Sequence, residues 1–225
     1  MYFNNDDYSI FTSANKNNKT TEMMKKRKYL QNKLLTLHNS IYPEIQQLGL
    51  GCHDSKRNIT TRIEPDRHKG EINTWLLVRY GKTSNELVPY QEIGMGFTKH
   101  ADIQFGISED KGFSIELFLG RKDGFDRGRI KKTIERHRND IQKALMELKG
   151  YSMTWEISGN IFNIDDNSSD FCDWLLKFDK EGDESFLSMT YGKTDERISE
   201  ENICAEIISK VKLILPLYNI LTWRK

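Results

Sequence analysis

Ala101-Asp102-Ile103-Gln104-Phe105-Gly106-Ile107-Ser108-Glu109-Asp110-Lys111-Gly112-Phe113-Ser114-Ile115-Glu116-Leu117-Phe118-Leu119 is the stretch whose reading decides the fold. Ala101, Ile103, Phe105 and Ile107 recur at every second position, and so do Phe113, Ile115, Leu117 and Leu119. A period of two is the signature of a strand with one apolar face. Ser108 to Gly112 supplies a turn between the two runs. An antiparallel register then sets Ala101 opposite Leu119, Ile103 opposite Leu117, Phe105 opposite Ile115 and Ile107 opposite Phe113. All the apolar side chains share one face, and a slip of one residue would turn that face to water, so the pattern pins the register. The other face carries His100, Asp102, Gln104, Ser114 and Glu116, and is predicted to lie on the solvent side of a half-buried sheet.

Downstream, Ile130, Ile134, Ile141, Leu145 and Leu148 predict a helix from Asp126 to Lys149, with Asp126 as N-cap and Gly150 as its stop. Met153, Trp155 and Ile157 then meet Phe162 and Ile164 in a second hairpin, turning at Gly159-Asn160. A short helix over Ser169–Phe178 carries Phe171, Trp174, Leu175 and Phe178, and a strand follows it. The last helix begins at Ser199, stapled by Ile198 and Ile203, and Pro216 interrupts it. Upstream, Met24, Leu30, Leu34, Leu37 and Ile41 predict a helix from Thr21 to Ser40, ended or kinked by Pro43. Asn58–Ile63 and Ile72–Tyr80 read as strands around a charged loop, Glu64 to Gly70. Trp75, Trp155 and Trp174 sit at apolar-patterned positions and are assigned to the core. The fold class is α+β, with a mainly antiparallel sheet of hairpins packed against about four helices. Residues 1–20, rich in Asn, Asp, Ser and Thr, are read as a disordered polar arm, and 21–225 as a single domain.

Several function classes are excluded. Tyr-Gly-Lys-Thr occurs at Tyr80–Thr83 and again at Tyr191–Thr194, but a phosphate-binding loop needs a glycine where Leu76 and Leu187 stand. No apolar run reaches membrane-spanning length, and the N-terminal stretch lacks the apolar middle of a secretion signal. Cys52, Cys172 and Cys204 are scattered and odd in number, which argues against a disulfide framework and for a reducing cytoplasm. The net charge of +1 hides an uneven distribution. Lys16 to Lys33 and Arg121 to Arg138 are basic, whereas Asp165 to Glu201 is acidic. Such separation suits one face for a polyanion.

Three clusters of residues could carry function. Arg129, Lys132, Arg136 and Lys143 share one stripe of the helix opposite its core face, where a rigid row of cations can follow a phosphate backbone. Arg127, Lys131 and Arg138 lie on another flank. Asp102 and Glu116 lie diagonally across the first hairpin and would share a divalent cation such as Mg2+ in a nuclease, although Phe118 stands where a restriction-nuclease core has lysine. Cys52-His53-Asp54 with Asp66 and His68 holds zinc-capable groups but lacks the paired spacing of a metal site, so no metal is assigned. A further surface is the apolar segment Ile214–Trp223, which offers a docking site for a protein partner.

Leu37-His38, Ile41-Tyr42-Pro43-Glu44-Ile45, Lys99-His100-Ala101-Asp102-Ile103-Gln104-Phe105 and Asp173-Trp174-Leu175-Leu176 together resemble uncharacterised bacterial domains found beside restriction and antiphage defence genes. The resemblance spans the chain from about Leu37 onward and implies a cytoplasmic, DNA-related setting, without transferring a catalytic residue. The expectation is therefore a non-catalytic, nucleic-acid-associated module of a prokaryotic restriction or antiphage defence system. It needs no cofactor, and DNA is its first candidate partner. The alternatives are a divergent metal-dependent nuclease using Asp102 and Glu116, and a protein-interaction subunit of a larger complex.

Overall fold

The computed structural model describes residues 1–15, 17–52, 74–90, 99–166, 170–179 and 184–224. The expected strand at Asn58–Ile63, the loop Glu64 to Gly70, and His53, Asp54, Asp66 and His68 lie outside the described residues. In chain order the helices are α1 (Asn5–Ser9), α2 (Thr21–Gln47), α3 (Ser84–Leu87), α4 (Phe125–Gly128), α5 (Ile130–Met146), α6 (Phe171–Phe178) and α7 (Ile203–Leu221). The strands are β1 (Gly51–Cys52), β2 (Trp75–Gly81), β3 (Asp102–Ser108), β4 (Gly112–Phe118), β5 (Thr154–Ile157), β6 (Asn160–Asn163) and β7 (Ser185–Tyr191). Among the described residues they form one seven-stranded sheet in the order β1-β2-β3-β4-β7-β5-β6. The class is α+β, as predicted, with an antiparallel sheet.

The first hairpin forms where it was expected, as adjacent strands β3 and β4. Its apolar residues, from Ala101 to Leu119, are all buried. The prediction for its other face is corrected. His100, Asp102, Gln104, Ser114 and Glu116 are buried too, none more than 4% exposed. Alternation tells which residues share a face, and it cannot tell whether the polar face is covered. β7 runs antiparallel beside β4. Leu119 N–H donates to Ser185 O at 2.9 Å, the Ser188 hydroxyl meets Glu116 Oε1 at 3.2 Å, and the Phe118 and Phe186 rings stack at 5.1 Å.

The second hairpin is shifted by one residue from the prediction. Trp155 pairs with Phe162 and Ile157 with Asn160, so Ser158-Gly159 makes the turn. Both turn residues have positive φ, 48° and 79°, as the favoured two-residue turn demands, and glycine takes the second position without strain.

Two helices run through prolines where the sequence suggested a break. α2 continues past Pro43 to Gln47, and α7 past Pro216 to Leu221. A proline leaves the carbonyl of the residue four places earlier unpaired. Before Pro43 that residue is Asn39, which is exposed, so water can take the place of the missing donor.

Residues 1–20 depart furthest from expectation. Asn4 and Asp7 form a capping box at α1. Phe3, Ile10 and Phe11 are at most 2% exposed. The Tyr2 hydroxyl donates to Lys33 O at 2.9 Å, and Lys33 Nζ reaches the buried Asp7 at 2.7 Å. The polar composition of the arm concealed a few large apolar anchors.

The chain gathers into two compact units, each assembled from separate pieces of sequence, so no linker marks them. The first comprises Met1–Tyr80, Gln104–Ile115 and Thr190–Ser209. Its core holds Leu30, Leu34, Leu37, Ile41 and Ile45 of α2, with Phe105 and Phe113 of the sheet. Gly106 lies so close to β2 that a Cβ there would stand 2.0 Å from Leu76 O, which explains a glycine inside a buried strand. The second comprises Gly81–Ile103, Glu116–Met189 and Lys210–Lys225. Its core centres on Trp155, whose indole N–H donates to the Ser185 hydroxyl at 2.7 Å. Phe162, Phe171 and Trp174 pack around it. Among the described residues, no helix is long and apolar enough to cross a membrane.

Candidate nucleic-acid interface

The basic segment before and along α5 lies within the second unit. It is not the single straight helix predicted from Asp126 to Lys149. α4 ends at Gly128, α5 starts at Ile130, and His137 leaves helical geometry at φ −126°, ψ 21°. A stripe drawn at about 100° per residue does not survive such a break intact. Asp126 is not the N-cap, a position held by Gly124. It is buried, accepts from Ala101 N at 2.7 Å and pairs with the Arg224 guanidinium, while His100 Nδ1 lies 3.9 Å away.

The predicted cations divide into two groups. Arg127, on the flank, is buried and donates to Asp179 Oδ1 at 2.7 Å and to Asp179 O at 3.0 Å. Arg138 reaches Asp170 at 3.0 Å and also pairs with Asp173. The hydrogen bond from Arg138 holds the Asp173 carboxyl below its ordinary range. The acidic segment thus folds back on the basic one and occupies its flank. Lys132, Arg136 and Lys143, from the predicted stripe, are exposed. Arg129 is half-buried, donates to Phe125 O at 3.2 Å and lies 5.9 Å from the centre of the Phe125 ring.

A residue absent from the predicted site sits among the exposed cations. The Trp223 ring centre is 4.9 Å from the Arg136 guanidinium carbon and 6.0 Å from Lys132 Nζ. The His137 ring meets it edge-on at 4.9 Å. The indole is partly exposed. Read in sequence, Trp223 belonged to the apolar segment Ile214–Trp223 offered as a docking surface. That expectation is corrected, because Ile214, Leu217, Tyr218 and Leu221 are all buried within the protein. Only the run Thr222-Trp223-Arg224, where the apolar pattern gives way to polar neighbours, hinted that this tryptophan differs.

The hairpin carboxylates are Asp102, at 0% exposure, and Glu116, at 4%. Glu116 accepts from the Ser188 hydroxyl. Among the described residues, no group of three or more His, Cys, Asp or Glu side chains is arranged to hold a metal ion. Cys52 ends β1, with its backbone N–H donating to the Tyr42 hydroxyl at 3.3 Å. Cys172 lies on α6, its thiol pushed up to about 11, chiefly by burial.

No protein-family model matches the chain, and no curated protein matches it.

Proposed function

We propose that this chain is a non-catalytic, nucleic-acid-binding module serving a prokaryotic restriction or antiphage defence system. The observation that carries the binding half is the exposed cationic surface of α5. Lys132, Arg136 and Lys143 face solvent, while Arg127 and Arg138 of the same segment are held by aspartates. Exposed cations on a rigid surface attract a polyanion and release its counterions. The non-catalytic half is supported by the burial of Asp102 and Glu116. The defence setting draws on the resemblance of residues 37–45, 99–105 and 173–176 to domains encoded beside such systems.

The test is binding of labelled DNA and RNA across a salt series. The wild type is expected to lose affinity steeply as salt rises. Reversing two contacts in Lys132→Glu/Arg136→Glu should make the slope of log K against log salt shallower by about 1.8 on duplex, at about 0.9 per phosphate contact. Binding that ignores salt, or that survives the double reversal unchanged, would remove this reading.

A further inference from the structure

We propose that the partner of the α5 surface is single-stranded nucleic acid, with Trp223 as the platform on which an unpaired base stacks. This inference rests on the nucleic-acid reading above and adds to it the form of the strand. A row of lysines and arginines alone gives no preference for one form, because phosphates line both single strands and duplexes. An aromatic face among those cations does, since the base faces of a duplex are already stacked inside it and those of a single strand are open.

Three features of Trp223 fit that role. Its ring sits inside the cationic surface, with Arg136 and Lys132 beside it and His137 against it. Lys132 and Arg136 are four residues apart, about one turn along the helix, and both stand over the ring, so cations and aromatic surface lie within reach of one bound nucleotide. The ring is also held by its neighbours. Thr222 is fully buried and donates through its hydroxyl to Tyr218 O at 2.8 Å. On the other side, Arg224 is anchored on Asp126 and donates to Thr222 O at 2.7 Å. Trp223 is thus fixed on a closed stretch of chain, and a base that stacks on it need not first order the segment.

The experiment compares a mixed-sequence single-stranded DNA of about 16 nucleotides, an upper single-strand site size, with the matching RNA and the matching duplex. Each is titrated against the full chain by fluorescence anisotropy. Trp223→Leu keeps an apolar filler but removes the aromatic face, and Trp223→Phe restores a smaller one. The Leu variant is expected to lose about tenfold in single-strand affinity, with duplex affinity within twofold of wild type. The Phe variant should recover to within about threefold of wild type. The DNA and RNA arms show which strand is preferred. Equal behaviour of the Leu and Phe variants, or equal losses on duplex and single strand, overturns the stacking role. If Lys132→Glu/Arg136→Glu weakens binding while Trp223→Leu does not, the electrostatic reading stands and only this inference falls. If the wild type binds none of the three, both fall.

Discussion

Arg127 and Arg136 are nine positions apart on one basic segment, yet the fold uses them in opposite ways. Arg127 is buried and bound twice by Asp179. Arg136 is exposed and lies over an indole. Nothing in the local sequence separates them, since each is an arginine in a charged neighbourhood. The difference comes from residues far along the chain. Asp170, Asp173 and Asp179 claim Arg127 and Arg138, and Trp223 meets Lys132 and Arg136. Lys132 and Arg136 therefore stay exposed where the acidic stretch does not reach.

The contrast should be sharpest in stability. Asp179→Ala leaves the Arg127 guanidinium inside without its carboxylate, and removing one partner of a buried pair is strongly destabilising. The expected loss is about 3 kcal/mol in urea unfolding, at the lower end of that range because Asp179 keeps 20% exposure. A loss no larger than that of a surface substitution would erase the distinction between the two groups. Lys132→Glu/Arg136→Glu comes next. A cation over such a ring contributes about 0.5–1 kcal/mol and the variant removes two, so it should unfold within about 2 kcal/mol of the wild type. Its main effect belongs in the salt-dependent binding assay. A larger loss would mean that the Trp223 cluster holds the fold together.

How far the fold was legible follows the same division between local and distant causes. The β3–β4 hairpin could be placed from alternation alone because its signal is local and repeated. The second hairpin was legible as a hairpin, but its pairing was not, and the turn slipped by one because Ser158-Gly159 and Gly159-Asn160 both suit a tight reversal. The α2 stripe, from Leu30 to Ile41, was correct, but its end was not, since the helix runs through Pro43, with the exposed Asn39 four places before it. Residues 1–20 were misjudged because average polarity outweighed Phe3, Ile10 and Phe11. In the candidate site, the exposure of Lys132, Arg136 and Lys143 could be read from helical spacing. The capture of Arg127 and Arg138, the break at His137 and the arrival of Trp223 depend on tertiary contacts that no periodicity records.

Asp173→Ala tests the weaker member of the ion-paired group. The pair joins side chains that are 68% and 38% exposed, and pairs of that kind contribute little once water and salt screen them. The unfolding midpoint should not move measurably, even though Arg138 depresses the Asp173 carboxyl. Removal of a carboxylate beside the basic surface should instead strengthen polyanion binding slightly at low salt and not at high salt. An unchanged affinity at low salt would show that Arg138 lies too far from the bound strand to matter.

His38 extends the comparison to a basic group that is buried beside tyrosines, where the effect to be read is a difference between two pH values. Its ring stacks on Tyr42 at 4.6 Å and on Tyr80 at 5.8 Å, and Nδ1 lies 3.0 Å from the Tyr80 hydroxyl. Burial lowers the His38 pKa below its ordinary value of 6.5, because the charged imidazolium loses its hydration. The unfolded chain then binds the proton more readily than the folded one does. Stability is fully present above about 6.5 and declines as pH falls from there toward the folded pKa. Unfolding free energies at pH 7 and pH 5 should therefore differ more for the wild type than for His38→Gln, which has nothing to titrate in that window. Only the difference between the two pH values is diagnostic, since the substitution also removes the stacked ring. Equal pH dependence in the two proteins would assign the titration to another group and leave His38 as a packing residue alone.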